Sequence, residues 1–453
     1  MSEGAATVAG RPGRSLFVPE VRLSKLGRTA RGREPATVLE DVHFDVVQTE
    51  VTRVNTGAGQ FAITLNNWYD TLPADRRGGE QPAGRSEPRA NGRPLMPRFK
   101  YNDFQRLGFG DRVRIDLRYW PPDPAVGVRQ TAPDAGWVPM ISGAVTDMRF
   151  TFSPNEGARL VVAGEEDLTP LKARNPRRVR YQGRSERDIV RDVLQRAGYE
   201  VPLADAPLAW PDFATDASRA LHEEHQEGQS YLEYLQKFAD RMDFEAFVEF
   251  TDLADPNGGI AFHFEPARSR IPPDATLREV YVLERERNLL DFTPTIKVVE
   301  QHTSVVVQGR HRVRSRATRI RREAHADILA DELPYDAGRG DRRPTVGPDW
   351  RRRLYGDNQQ IESNQTNLDD ERAQTLAEAK LRRKAREFLT IQGTTIGLPL
   401  LRPGRYVEIR GMRPPFDGFY YVTQTVHTHG EAGLGTRFTA RRPGMPFPPY
   451  GEV

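Results

Sequence analysis

The chain has no cysteine, which excludes both a disulfide framework and a thiolate metal site. Long apolar runs are absent too. No 18 consecutive residues are apolar, so the sequence offers no membrane-spanning helix. The opening "MSEGAATVAGRPGRS" lacks an apolar core and is not read as a signal peptide, so the expectation is synthesis in the cytoplasm. Lysine is scarce: seven of the 66 basic residues are Lys and the rest are Arg. Codon composition alone can produce that bias, but arginine also makes the better bidentate partner for carboxylates. The net charge of +3 does not mark a nucleic-acid binder by itself.

What is present is mostly β pattern on a chain of 453 residues, enough for two to four domains. Val- and Phe-rich stretches from Leu16, with a turn at "TGAG" (56–59), predict a β-hairpin over 42–67. Residues 71–98 form a long polar Gly/Pro loop, after which "DRVRIDLRYW", "MISGAVTDMRFTF" and "ARLVVAG" read as strands. The middle differs. "SERDIVRDVLQRAGY" has Ser185 as N-cap and one apolar face (Ile189, Val190, Val193, Leu194, Ala197), with Gly198 as the stop. "SYLEYLQKFADRM" has a Ser230/Glu233 capping box and an apolar stripe of Leu232, Leu235, Phe238 and Met242. "FEAFVEF" then alternates, and "DPNGG" (255–259) turns it into "IAFHF". Strands follow in "TPTIKVVEQHTSVVVQG", then a Gly/Pro/Asp-rich loop to about residue 366. A charged helix over 368–389, capped by Asn367, has too sparse an apolar face to do more than cover something. The chain closes in β from Thr394.

An ordered pattern occurs twice. "GDRVRI" (110–115) and "GRYVEI" (404–409) both read Gly-x-x-Val-x-Ile. Each is followed by an apolar-x-Gly opening a second strand, at Gly143 and Gly418, and then by a turn and a third strand, after Gly157 and Gly435. This predicts an internal duplication.

Few residues invite chemistry. "HEEH" (His222 to His225) spaces its histidines three apart, not the four that a zincin helix needs. "EED" (Glu165, Glu166, Asp167) places three acids side by side after a strand, as a solvated turn does. The arginine run 310–322 would put Arg312, Arg314 and Arg316 on one side of a strand but carries no aromatic for base stacking. His427 and His429, in "FDGFYYVTQTVHTHG", lie on a predicted strand with Phe419, Tyr421, Thr423 and Thr425, opposite Tyr420, Val422 and Val426. No third ligand is near in sequence. No catalytic, cofactor-binding or metal residue is assigned, and the expectation is a protein that is not an enzyme and needs no cofactor.

Taken in order, "GDRVRIDLRY", "MISGAVTDMRFTFSPNEGARLVVAGEEDLTPL", "SERDIVRDVLQRAGYEV", "QEGQSYLEYLQKFADRMDFEAFVE" and the closing "TTIGLPLLRPGRYVEIRG" to "GLGTRFTARR" resemble the late control gene D family of contractile phage tails. They are also similar to the hub half of type VI secretion spike proteins. The resemblance covers roughly 15–445. It implies a mainly β fold with an α+β middle segment and two tail-tube-like β-barrels related by internal duplication. The implied division is a tail 1–14, a first barrel 15–170 with the loop 71–98, an α+β middle 171–285, a second barrel 286–445 with a basic, helical insertion 310–390, and a tail 446–453. It further implies a homotrimeric baseplate hub: a pseudo-sixfold ring joining the sixfold inner tube above to the threefold spike below, next to baseplate wedge proteins and the tape measure protein, in a phage virion or contractile injection particle. Because "FPPYGEV" follows soon after the second barrel, the spike is expected to be a separate protein. A tail-associated cell-wall hydrolase and an Arg-dependent DNA-binding protein are the alternatives from other classes.

Overall fold

A computed structural model of the chain describes residues 18–26, 37–68, 89–90, 93–94, 99–120, 136–153, 157–166, 168, 171–172, 178–197, 223–226, 228–250, 260–266, 280–313, 316–332, 344–366 and 369–445. The expected tails, the turn 255–259, Gly198, Asn367 and all of the loop 71–98 except a ladder of Arg89–Ala90 on Arg93–Pro94 lie outside them.

The chain runs through β1 (Val18–Leu26), β2 (Val46–Val54), β3 (Gln60–Asn66), β4 (Arg112–Trp120), β5 (Val138–Ser153) and β6 (Gly157–Glu166). The middle comprises β7 (Val179–Gln182), α1 (Glu186–Ala197), β8 (Glu223–Gln226), α2 (Tyr231–Met242), β9 (Phe244–Phe250) and β10 (Ile260–Pro266). Then come β11 (Tyr281–Glu284), β12 (Leu289–Ile296), β13 (Ser304–Val313), β14 (Arg316–His325), α3 (Gly347–Tyr355), β15 (Gln359–Thr366) and α4 (Asp370–Arg386). The last strands are β16 (Leu389–Ile396), β17 (Tyr406–Arg410), β18 (Gly418–Gly430) and β19 (Gly433–Arg442).

The duplication is visible as topology. In the first barrel the hydrogen-bonded order is β2-β3-β6-β5-β4-β1; in the second it is β12-β16-β19-β18-β17-β11. Chain order maps onto sheet order identically in both, except that β1 is antiparallel to β4 and β11 parallel to β17. Two β-bulges recur at matching places. Val47 on β2 and Leu290 on β12 are extra residues against the third strand. Thr146 on β5 and Thr423 on β18 are extra against the sixth. Each sheet curls onto itself: Val51 of β2 and Val21 and Leu23 of β1 come from opposite ends of the order yet share one buried core with Ile63, Ile115, Ile141 and Val162. Leu283, Leu289, Ile391, Val407, Tyr420, Val422 and Phe438 form the second core.

The matched bulges and pairs correct the glycine correspondence. Val113 pairs with Gly143 while Val407 pairs with Tyr420, and Ile115 pairs with Ile141 while Ile409 pairs with Gly418. The residue matching Gly143 is therefore Tyr420, and that matching Gly157 is Gly433, not Gly435. The two glycines serve different needs. A Cβ on Gly143 would stand 2.0 Å from the Glu165 carbonyl oxygen, whereas Gly418 has φ +125 at the strand entry, a conformation only glycine adopts without strain.

The helical middle follows its sequence signals. Ser185 Oγ accepts the Asp188 N–H at 3.2 Å, and the Ser230/Glu233 capping box is complete. The faces predicted for α1 and α2 join Phe244, Ala246, Val248, Phe262 and Phe264 in a third core. Three expectations change. Residues 40–43 form a short helix, not strand. Asp369, not Asn367, caps α4, accepting the Arg372 N–H at 2.9 Å. And most of the loop expected to 366 is ordered: β14, β13 and β15 form a sheet whose Val305, Val307, Ile320 and Ala324 lie under Ala373, Leu376, Ala377 and Leu381 of α4. So α4 does cover something, and β15 went unread because "QQIESNQT" has almost no apolar alternation to betray a strand.

Candidate functional site

The stretch "FDGFYYVTQTVHTHG" forms β18, which joins the two barrels. Its first half pairs with β17 (Tyr406↔Tyr421 to Ile409↔Gly418). Beyond the bulge the same edge passes from β17 to β2 of the first barrel, from Gln424↔Val54 to His429↔Thr49, while β19 holds the opposite edge. One continuous 13-stranded sheet results. The joint is a backbone ladder, rigid because each hydrogen bond is directional.

The bulge at Thr423 also reverses the faces expected for this strand. Opposite Ala440, Phe438 and Thr436, all buried, stand Val422, Thr425 and His427. His427 thus points inward with Tyr420 and Val422, not away from them, and Val426 takes the other side. The His427 ring nitrogens lie 3.0 Å from Thr436 Oγ1 and 3.1 Å from Leu401 O. Complete burial, then the positive charges of Arg402 and Arg53, push its pKa down to about 3. It is a neutral ring spanning two backbone segments. His429 is half-buried, its Nε2 3.2 Å from Pro19 O.

Around this seam lie buried charges, one of which, Glu166, the sequence places in a solvated turn. Glu166 is buried. It accepts the Gly59 N–H at 2.9 Å and pairs with Arg53 at 3.3 Å, and Arg53 also donates to Val248 O at 2.7 Å. Glu245 of β9 accepts Asn55 Nδ2 from the first barrel and the Tyr421 hydroxyl from the second, with Arg441 at 3.6 Å. Three units therefore converge on one carboxylate. Arg402, wholly buried, donates to Pro139 O of the first barrel. Burial, then the neighbouring Arg53, lower its pKa to about 9.

A second layer ties α4 to the middle. Arg386 makes paired bonds to Asp243 (2.6 and 2.7 Å) and to Glu332 (2.8 and 2.8 Å). Burial opposes its charge, yet the two carboxylates hold its pKa well above the ordinary value. Arg372 bonds Glu186 at 2.5 and 2.8 Å, and Arg383 reaches Asp240 and Ala239 O. The fork geometry of arginine suits each of these sites.

The remaining sequence candidates do not converge. Of "HEEH", His222 lies outside the described residues, and Glu223 to His225 sit on strand β8. Glu223 takes Arg180 at 2.5 Å and His225 at 2.6 Å, and Glu224 takes Arg241 at 2.6 Å. The hydrogen bond from Arg180 is the first cause holding the Glu223 pKa below its usual value. Of "EED", Asp167 lies outside, Glu165 pairs with Lys172 at 2.7 Å, and Glu166 is the buried seam residue rather than part of a solvated turn. The arginine run is a hairpin, β13 against β14 (Arg312↔Ala317, Val313↔Arg316), not one extended strand. Arg314 and the side chains of 311–318 lie outside the described residues, and Arg322 pairs with Asp370 at 2.9 Å. Among the described residues no group of three His, Asp or Glu could hold a metal ion. Sequence reading missed Glu245, Arg402 and Arg386. The one available signal was Glu245 and Glu249 alternating against Phe244, Ala246 and Val248 on a strand with both neighbours apolar.

No family model and no curated protein matches the chain. Solved structures do. The 43 kDa tail protein of prophage MuSo2 from Shewanella oneidensis superposes with TM-score 0.55 at 11% identity, over 94% of this chain and 98% of that one. The tail protein from Neisseria meningitidis MC58 gives TM-score 0.54 at 11% identity, over 94% and 97%. The fold is thus that of the phage tail proteins. The mainly β, two-barrel architecture implied by the resemblance to contractile-tail hub proteins is the one observed, over nearly the full length of both chains.

Proposed function

We propose that this protein is the structural hub of a baseplate in a phage virion or contractile injection particle. Three copies form a pseudo-sixfold ring that joins the sixfold inner tube to the threefold spike. Baseplate wedge proteins and the tape measure protein are its other neighbours, and the chain is made in the bacterial cytoplasm. In this reading 15–170 and 286–445 are the two barrel domains and 171–285 the middle domain, and the work of the protein is mechanical, not catalytic.

The observation that carries it is the seam. Two barrels of the same strand order, joined edge to edge through β2 and β18, already make two adjacent segments of a ring, and a duplicated domain in a threefold assembly yields six similar positions. The face of the seam turned from the cores carries Glu50, Thr52, Gln424 and Thr428 beside Val54 and Val426, a mostly polar surface of the kind that adheres little to passing cargo. The described carboxylates considered for hydrolysis, Glu165, Glu166, Glu223 and Glu224, are paired with lysine or arginine. Mass measurement of the purified protein, alone and mixed with its spike, tests the reading: trimers under either condition are expected, and a chain that stays monomeric under both overturns it. Electron microscopy of the particle should show a ring of six similar barrels between tube and spike.

A further inference from the structure

Each barrel has the same two edges, but among the described residues one pair of them is used. The used pair is β2, the second strand of barrel one, against the outer half of β18, the fifth strand of barrel two. The counterparts unused by the described residues are β12, the second strand of barrel two, and the outer half of β5, the fifth strand of barrel one. Among the described residues the ladder of β12 is to β16, with one isolated bridge at Leu289 to Arg285, and beyond Val145 the ladder of β5 is to β6. Lys297 donates its N–H to Phe388 O at 2.8 Å, so in an antiparallel ladder the alternate residues Phe292, Pro294 and Ile296 turn their backbone groups to the open side.

Exposure shows what is missing. On β18, Thr425 and His427 are 0% and 1% exposed. The bulge alignment matches them to Met148 and Phe150, which are half-buried, and matches His429 to Phe152, 53% exposed. On β2, Val51 and Arg53 are buried, while their counterparts Pro294 and Ile296 are half-buried and 37% exposed. Trp68, Phe104 and Phe109 extend the exposed aromatic surface beside Phe150 and Phe152. The same positions are covered in one place and bare in the other.

We propose that β12 of one copy pairs antiparallel with the outer half of β5 of a second copy, repeating between chains the ladder that β2 and β18 make within one. Carrying the internal register across gives Asp147↔Lys297, Met148↔Ile296, Arg149↔Thr295, Phe150↔Pro294, Thr151↔Thr293 and Phe152↔Phe292. The register was fixed by the two bulges alone, yet five of its six pairs are complementary: one of opposite charges, two apolar, one of threonines and one of phenylalanines, the kinds that stabilise cross-strand neighbours; the sixth sets Arg149 opposite Thr295. Pro294 supplies no donor, so the ladder lacks one bond. That also makes the free edge a poor template for indiscriminate strands. The contact is head-to-tail and closes only as a ring. It deepens the hub reading and rests on it.

The test exploits the absence of cysteine. Thr151 and Thr293 form a non-hydrogen-bonded pair in this register, where side chains approach most closely. Thr151→Cys and Thr293→Cys chains, mixed and mildly oxidised, should give a disulfide-linked species of twice the chain mass, which neither variant gives alone. Thr151→Cys with Thr295→Cys, two residues out of register, should not link. A chain carrying Thr428→Cys and Glu50→Cys, the internal counterpart, should link within itself and calibrate the oxidation. As a second measurement on the unmodified chain, the amides of Phe292 and Ile296 should gain hydrogen-exchange protection on assembly. Oligomers without the cross-link and without that protection, or with equal linking of the off-register pair, overturn this pairing and leave the hub reading standing. A chain that never assembles overturns both.

Discussion

Thr146 and Thr423 occupy the same bulge in two copies of one barrel. Each is the extra residue between Val145 and Asp147, or between Val422 and Gln424, that the neighbouring strand leaves unpaired. In the second copy the strand beyond the bulge crosses to the other barrel; in the first, no strand among the described residues pairs with the corresponding edge.

Removing the arginine at the centre of the α4 anchor should be costly. Arg386→Met strips Asp243 and Glu332 of their bidentate partner, leaving them only Arg383 at 3.8 Å and Arg382 at 3.2 Å, and breaking a buried pair from one side costs up to about 3–5 kcal/mol. Chemical denaturation should show this loss, and Arg386→Lys, which cannot bond both carboxylates bidentately, should fall between.

Glu245 should behave as a joint. Glu245→Ala removes the common acceptor of Asn55 and Tyr421, leaving buried polar groups unsatisfied at about 1–3 kcal/mol each. Limited proteolysis should then cut between units faster than in the parent, with the helical content of α1 and α2 unchanged.

His427 predicts a pH dependence. Its folded pKa, about 3, lies below the unfolded value of 6.5, so folding binds the neutral ring. The stability it contributes is whole above pH 6.5 and is lost as pH falls through the window from 6.5 toward 3, by at most about 1.4 kcal/mol per pH unit. Carboxylates titrate in the lower part of the same window, so the measurement is a difference. Between pH 6 and 4, His427→Gln should lose less stability per pH unit than the parent. Equal slopes would remove the assignment.

Two glycine variants separate close approach from mere turn chemistry. Gly143→Ala drives a Cβ to 2.0 Å from the Glu165 carbonyl and should cost about 1–3 kcal/mol or more through forced backbone movement. Gly435→Ala, whose Cβ meets nothing within 4 Å, should leave the melting temperature nearly unchanged.

Charge reversal probes the assembly independently of cysteine chemistry. Lys297→Glu should weaken association and Asp147→Lys added to it should restore it, read as the oligomer fraction at fixed concentration and low salt.

Local elements were legible because their causes are local. Capping at Ser185 and Ser230, the apolar faces of α1 and α2, the alternation of β9 and the twice-repeated strand order depend on residues a few positions apart. These determine a mainly β chain with a helical middle and a duplicated barrel, whereas the scarcity of lysine beside arginine, which codon composition alone can produce, located none of the paired carboxylates. Only the tertiary structure decided the faces of β18, the burial of Glu166 and Glu245, and the correspondence of Gly143 with Tyr420. The physical reason is the period of a strand. A shift of two residues keeps every side chain on its face, so the pattern could not reveal that the glycines were misaligned. A single bulged residue reverses every face beyond it, and Thr423 is recognisable as one only once β19, which leaves it unpaired, lies in place beside β18.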